Sequence, residues 1–312
     1  MMRSLKTIFW IFIAILGAVA LGMIATVRGE FLCAASPPPV PQRIARVVEI
    51  HVVGSERFPE AEVIKASGLK IGAEANADNF NEAANGLAAT GVFTSVQYRY
   101  TPTSAGIAIE FQVTDAPKFV SCKFDNFVWF SDEELRNELR SRVPLFTGDV
   151  PLAGKLQDQV ATALQSILKE RGISGTVRQE GASDHVGGPV VAILYSVDGA
   201  SIHIGQVKFQ GVSQLDVAGL DAATKPLVGT DYQQSFVSDF ARLNLGPIYA
   251  QQGFLRVEFG TPVAKLIKDD PLQHSVTITI PVREGLQYRL AGLQFTGNSV
   301  ISSTDLMKNI HL

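Results

Sequence analysis

The chain has 312 residues, 46% of them hydrophobic, with 27 basic against 30 acidic side chains and a formal net charge of −3. That length accommodates about two to four domains. The near-neutral balance, with no long run of either sign, argues against nucleic acid as the main partner.

At the N-terminus, Arg3 and Lys6 precede an apolar stretch at 8–25, followed by Arg28, Glu30 and the small residues Cys33-Ala-Ala35-Ser36. Cys33 and Ala35 occupy the small-residue positions of an export cleavage site. The stretch is 18 residues long, beyond the ~7–15 of a signal core and at the lower limit for a bilayer span. Residues 1–35 therefore read as a signal peptide or as a retained N-terminal membrane anchor, and either places the remainder outside the cytoplasm. Glu30 stands where a lipoprotein signal would carry leucine. Cleavage after Ala35 leaves Cys122 without a disulfide partner, so it reads as a small buried residue and stability falls to packed cores. Residues 36–43 hold Ser36-Pro-Pro-Pro-Val-Pro41, a stiff spacer.

A first module, 44–116, opens with an alternating strand at 47–53 ending at Gly54 and a short helix starting near Pro59. A second helix at 79–90 puts Phe80, Ala83, Ala84, Leu87 and Ala88 on one face, and a hairpin follows at 96–100 and 107–113. The second module, 117–200, starts with a strand at 119–124. It carries a capping box, Ser131-Asp-Glu-Glu134, and a helix whose apolar stripe is Leu152, Leu156, Val160, Ala163, Leu164, Ile167 and Leu168. Its closing strand, 190–197, is apolar on both faces, as a central strand should be. The third module, 201–286, runs from a strand at 204–209 through a long helix from Tyr232, with Phe236, Phe240, Leu243 and Tyr249. Gly246-Pro247 should bend that helix. The expected hairpin is 254–259 and 276–282. Residues 287–312 read as the start of a fourth copy, truncated within its first helix.

One phrase recurs: Leu87-Ala-Ala-Thr-Gly91-Val-Phe-Thr-Ser-Val96, Leu168-Lys-Glu-Arg-Gly172-Ile-Ser-Gly-Thr-Val177 and Tyr249-Ala-Gln-Gln-Gly253-Phe-Leu-Arg-Val257. The glycines lie 81 residues apart, and each reads as the left-handed stop of a helix, where a side chain costs roughly 1–2 kcal/mol. The fold class is α+β: tandem β-α-α-β-β modules, each a three-stranded mixed sheet with two helices on one face.

Modules of this order, with the Gly253-Phe-Leu-Arg-Val257 corner and the junction Val282-Arg-Glu-Gly285-Leu-Gln-Tyr288-Arg-Leu-Ala-Gly-Leu-Gln-Phe295-Thr-Gly297-Asn298, resemble polypeptide-transport-associated (POTRA) domains. The likeness runs over about 44–312 and is to the periplasmic part of BamA-like and TamA-like outer-membrane assembly factors. It implies a non-enzymatic periplasmic binding protein with three kinds of partner: unfolded outer-membrane-protein precursors, accessory assembly lipoproteins, and a membrane β-barrel that these residues do not encode. Two other readings stay open, an inner-membrane-anchored FtsQ-type division scaffold and the POTRA region of a two-partner secretion transporter.

No catalytic, cofactor or metal constellation is legible. His51, His185, His203, His274 and His311 are scattered singly. Ser183, in Gly181-Ala-Ser-Asp-His185, lacks the second glycine of a nucleophile elbow. If each closing strand is central, the first hairpin strand is an edge, at 96–100, 177–180 and 255–259. Unpaired amides and carbonyls there can accept another chain's strand with little sequence preference. The candidate peptide-binding residues are Val96, Tyr98, Tyr100, Val177, Gln179, Leu255, Val257 and Phe259, with Gly91, Gly172 and Gly253 as structural corners.

Overall fold

The computed structural model describes residues 44–270 and 273–308. The signal or anchor and the proline-rich spacer lie outside the described residues.

The first sheet is built from β1 (Ala45–Val53), β2 (Glu74–Ala75), β3 (Phe93–Thr103) and β4 (Gly106–Asp115), in the order β2-β1-β4-β3. β1 runs parallel to β4 and β3 antiparallel to it. Helix α1 (Glu60–Ser67) stops at Gly68, φ 74°. Helix α2 (Ala77–Ala89) starts at a reciprocal cap in which Asn76 and Asn79 each accept the other's backbone N–H at 3.0 Å. It buries Phe80, Ala83, Ala84 and Leu87. The same plan repeats in β5 (Phe119–Phe124), α3 (Asp132–Arg142), β6 (Asp149–Pro151), α4 (Leu156–Glu170), β7 (Thr176–Ser183) and β8 (Val190–Asp198), ordered β6-β5-β8-β7. The capping box opens α3: Ser131 Oγ accepts from the Glu134 amide at 3.2 Å, and Glu134 Oε2 from the Ser131 amide at 2.8 Å.

The third sheet has β12 (Gln273–Arg283) at its centre, parallel to β9 (Ile202–Gln210). On the other side it pairs antiparallel with β10 (Glu258–Phe259) and β11 (Val263–Asp270). Its helices are α5 (Val217–Thr224), α6 (Gln234–Phe240) and α7 (Gly246–Gln251).

The α+β class and the strand-helix-helix-strand-strand order agree with the sequence, and four details differ. Each of the first two sheets has a fourth strand, β2 or β6, of two or three residues, too short to show alternation. In the third sheet a single bridge, His203 to Asp231, takes that place. Leu152 is 41% exposed and precedes α4. The third long helix is not simply bent at Pro247. A π-helical turn at Ala241–Leu245 joins α6 to α7, and the extra residue shifts the buried face to Val237, Ala241, Leu245 and Tyr249, leaving Phe236 and Leu243 exposed. Residues 288–297 form no strand, and among the described residues α8 (Ser303–Lys308) follows them.

One hydrophobic core runs continuously under the first and second sheets, and a second lies under the third. The first two sheets are joined end to end by helices. The amides of Lys155 and Leu156, at the start of α4, donate to the carbonyls of Ala89 and Thr90, at the end of α2, at 2.8 and 3.2 Å. Each helix satisfies groups the other leaves unpaired, with the two dipoles head to tail. Arg57 adds an ion pair to Asp149 at 2.8 Å and lies 4.0 Å from the Phe119 ring centre. The third sheet is tied on by Asp125, whose carbonyl and carboxylate accept from Gln234 and Ser235 at 3.0 and 2.7 Å, and by the edge-on contact of Trp129 with His274.

A polar clasp closes each sheet where its first strand ends. Asp115 accepts from Ser55, Glu56 and Arg57. Asn126 bonds both backbone groups of Val197. Glu284 accepts from Ser213, Gln214 and Leu215. Burial alone would raise the Glu284 pKa, but the Ser213 hydroxyl and the amides of Ser213, Gln214 and Leu215 outweigh it and hold the carboxyl below its usual range. Its folded value thus lies under the unfolded one, about 4.3. The stabilisation is complete above that pH and is lost as pH falls through the folded value. Glu284→Gln should cost roughly 1–3 kcal/mol near neutrality and flatten the acid-side slope of urea midpoints measured between about pH 6 and 3. An unchanged slope would remove Glu284 from the account.

Candidate functional site: the sheet edges

β3 is eleven residues long and, among the described residues, borders only β4. Residues of one parity bond to β4, and those of the other parity turn their N–H and C=O outward. Two observations fix the parity. Pro102 has no N–H to give and sits in register with Ile107, as a proline can only at an outward position. Val113 turns its carbonyl toward Gly54 at the end of β1, where a Cβ would collide with it, so its partner Val96 is not bonded to β4. Val96, Tyr98 and Tyr100 therefore present their backbone groups to the open edge. The side chains of Tyr98 and Tyr100 pack beside Phe80 of α2, with ring centres 6.2 and 5.6 Å away. The Tyr98 hydroxyl donates to Asn81 Oδ1 at 2.8 Å. Tyr100 remains 48% exposed while Phe80 beside it is buried, so the Tyr100 ring is the apolar surface next to the open edge.

β7 is likewise an edge, next to β8 only among the described residues. Val177 and Gln179 lie on it opposite Val197 and Tyr195. Those two residues turn their backbone groups to the β5 side, Val197 to Asn126 and Tyr195 to the Asp125 amide. Val177 and Gln179 thus face outward. Here α4 reaches over the edge: Gln165 Oε1 accepts the Val177 amide at 2.8 Å and its Nε2 donates to the Gly175 carbonyl at 3.0 Å. The Gln179 side chain donates to Asp158 at 2.7 Å.

In the third sheet the edge is displaced from the sequence expectation. Leu255 and Val257 precede β10, and only Phe259 is in a strand, packed against Tyr249 at 5.9 Å. Most of this edge is β11, with Val263 and Ile267 each 59% exposed. Gly260, Thr261 and Pro262 interrupt it, and Gln234 of α6 donates to the Pro262 carbonyl at 3.0 Å. Sequence reasoning missed β11 because its run, Val263-Ala-Lys-Leu-Ile-Lys-Asp-Asp270, carries charges at Lys265 and at 268–270 that break a period-two pattern. It also missed Gln165, a polar residue on an amphipathic helix.

The corner glycines all have positive φ, 80° at Gly91, 69° at Gly172 and 86° at Gly253. They differ in surroundings. A Cβ on Gly91 would overlap the Ala153 carbonyl and one on Gly253 the Tyr288 carbonyl, whereas Gly172 has nothing within 4 Å.

Other chemistry has simple partners. The Ser183 hydroxyl donates to the Gly188 carbonyl at 3.0 Å. Burial pushes the Cys122 thiol up to about 12. Among the described residues, no three His, Cys, Asp or Glu side chains are grouped to hold a metal, and no helix is long and apolar enough to cross a membrane.

Residues 45–116 match the family POTRA, described as a surface antigen variable number repeat. A protein of Treponema pallidum (strain Nichols), provisionally described as an outer membrane protein assembly factor, is 25% identical over 233 residues, 70% of this chain and 25% of that protein. The chain thus spans about a quarter of the length of this curated relative. The N-terminal domain of Omp85 from Thermosynechococcus elongatus is 16% identical, covering 78% of this chain and 99% of its own, at a TM-score of 0.25. POTRA3-5 of BamA from Haemophilus influenzae is 16% identical, covering 80% and 100%, at a TM-score of 0.26. The family model thus matches the first of the modules expected from the sequence, at 45–116.

Proposed function

We propose that this chain is a non-enzymatic, exported arm that receives extended polypeptide as an added strand on the edge of β3, in the service of outer-membrane protein assembly. One observation carries the reading: an eleven-residue edge strand whose backbone groups at Val96, Tyr98 and Tyr100 face outward beside the exposed ring of Tyr100. Main-chain bonds supply affinity, and the exposed Tyr100 ring offers apolar contact to a guest side chain. Pro102 blunts only the hairpin end of the edge. The description of the Treponema relative as an assembly factor supports the same direction. The partners in this reading are unfolded outer-membrane-protein precursors, accessory assembly lipoproteins and a membrane β-barrel, and the place is the periplasmic side of the outer membrane.

Tyr100→Pro tests it. Proline at an outward position spares the β3–β4 ladder but deletes an edge donor and crowds an incoming strand. With a fluorescent nine-residue probe alternating valine and threonine between terminal lysines, Tyr100→Pro should weaken binding about tenfold relative to Tyr100→Ala. The alanine variant accounts for the lost packing on Phe80, and the two should unfold at similar urea concentrations. Equal probe binding by both would remove β3 as the receiving edge.

A further inference from the structure

We infer that Gln165 closes the β7 edge by standing in for a neighbouring strand, so that of the two hairpin edges in the jointly packed first and second sheets, β3 and β7, only β3 receives. The inference rests on strand addition as the activity, and it names the residue that selects between two edges at the same place in the module.

Gly175 and Val177 flank Thr176, and Gln165 takes the carbonyl of the first and the amide of the second through one side-chain amide. That pair of bonds, an acceptor and a donor on either side of one residue, is what a parallel strand makes when it joins an edge. A primary amide carries the same donor and acceptor as a peptide group, so the edge is occupied where a guest would start to pair. The side chain of Gln179, the next outward residue, is held to Asp158 of the same helix, drawing α4 further over the edge.

The 81-residue spacing of the corner glycines gives an internal comparison. Gln165 lies seven residues before Gly172; the positions seven before Gly91 and Gly253 are Ala84 and Gly246. Neither has a polar side-chain atom, so neither can close its edge in this way. Ala84 is buried on the face of α2, and the backbone at Val96, the equivalent of Val177, is left facing outward.

The first test is amide exchange at Val177 in Gln165→Ala and Gln165→Asn. Alanine removes the side-chain amide and favours the helix, while asparagine carries an amide one methylene shorter. Both should raise Val177 exchange about tenfold, for one lost hydrogen bond, with little change at Val160 or Leu164 in the same helix. Unchanged Val177 exchange overturns the inference whether or not any peptide binds.

The second test uses the nine-residue probe on the full chain. Tyr100→Pro should lower probe binding, and adding Gln165→Ala should restore it with new exchange protection at Val177 and Gln179. Faster Val177 exchange without restored binding would make Gln165 a cap and not a gate, overturning the inference while leaving β3 capture intact. A native chain that ignores the probe would sink the strand-capture reading, and the gate with it.

Discussion

Gly91→Ala should be among the most damaging single substitutions in the chain, costing about 3–5 kcal/mol, whereas Gly172→Ala at the matching corner should cost only about 1–2 kcal/mol. Both glycines have left-handed φ, 80° and 69°, so both variants carry the same backbone strain. The difference is what lies against them. The Cα of Gly91 abuts the Ala153-Gly154 peptide, and a methyl group would overlap the Ala153 carbonyl. Making room means withdrawing the start of α4 from the end of α2, with loss of the Lys155–Ala89 and Leu156–Thr90 bonds, at 2.8 and 3.2 Å. Each such bond is worth about 1 kcal/mol net, and the apolar contacts beneath them would loosen as well. Gly172 has nothing within 4 Å and carries strain alone. Gly253→Ala should behave like Gly91→Ala locally, since its methyl would strike the Tyr288 carbonyl, whose residue donates its amide back to Gly253 at 2.8 Å. Urea unfolding of the three variants decides the matter. Equal costs would mean that the three glycines are merely helix stops and that no joint is built on the first.

That contrast marks how far the sequence could be read. The three corners are legible because a residue at positive φ ending a helix is nearly always glycine, and an even spacing of such residues exposes a repeat. The central position of β8 is legible because Val190-Val-Ala-Ile-Leu-Tyr-Ser-Val197 is apolar on both faces, which assigns β7 to the edge. The joints are not legible. Gly91 meets Ala153 and Gly154 through backbone atoms, and Asp125 caps α6 across 110 residues of sequence; neither contact imposes a pattern on its neighbours. The second strand of the third hairpin is legible, and its first is misplaced because Gly260, Thr261 and Pro262 divide that strand, leaving β10 too short to register and β11 charged. Gln165 escaped for a different reason. On a helix, a glutamine beside an apolar stripe reads as a solvated residue, and only the strand passing beside it reveals the two backbone groups it holds.

Leu164→Ala and Ile278→Ala should separate the chain into two unfolding units. Both side chains are fully buried, and each truncation should cost about 2–5 kcal/mol. Leu164 belongs to the core that runs under the first and second sheets, and Ile278 to the core under the third. If cooperativity follows the cores, Leu164→Ala should lower the melting of β1 to β8 as one transition, including residues of the first sheet that Leu164 lies far from in sequence. Ile278→Ala should lower a second transition confined to β9 through β12. Calorimetry would give two components, and residue-resolved amide exchange would assign them. The coupling between units comes from the Asp125 cap, the Trp129–His274 contact and a thin apolar seam of Val128, Trp129 and Ala200. The first joint by contrast combines paired helix ends, the Arg57–Asp149 ion pair and a continuous core. A single transition displaced equally by both variants would show that the second joint is as strong as the first. Two transitions would mean that the open edge of β3 and the closed edge of β7 sit on one rigid body, with the third sheet free to open without disturbing either.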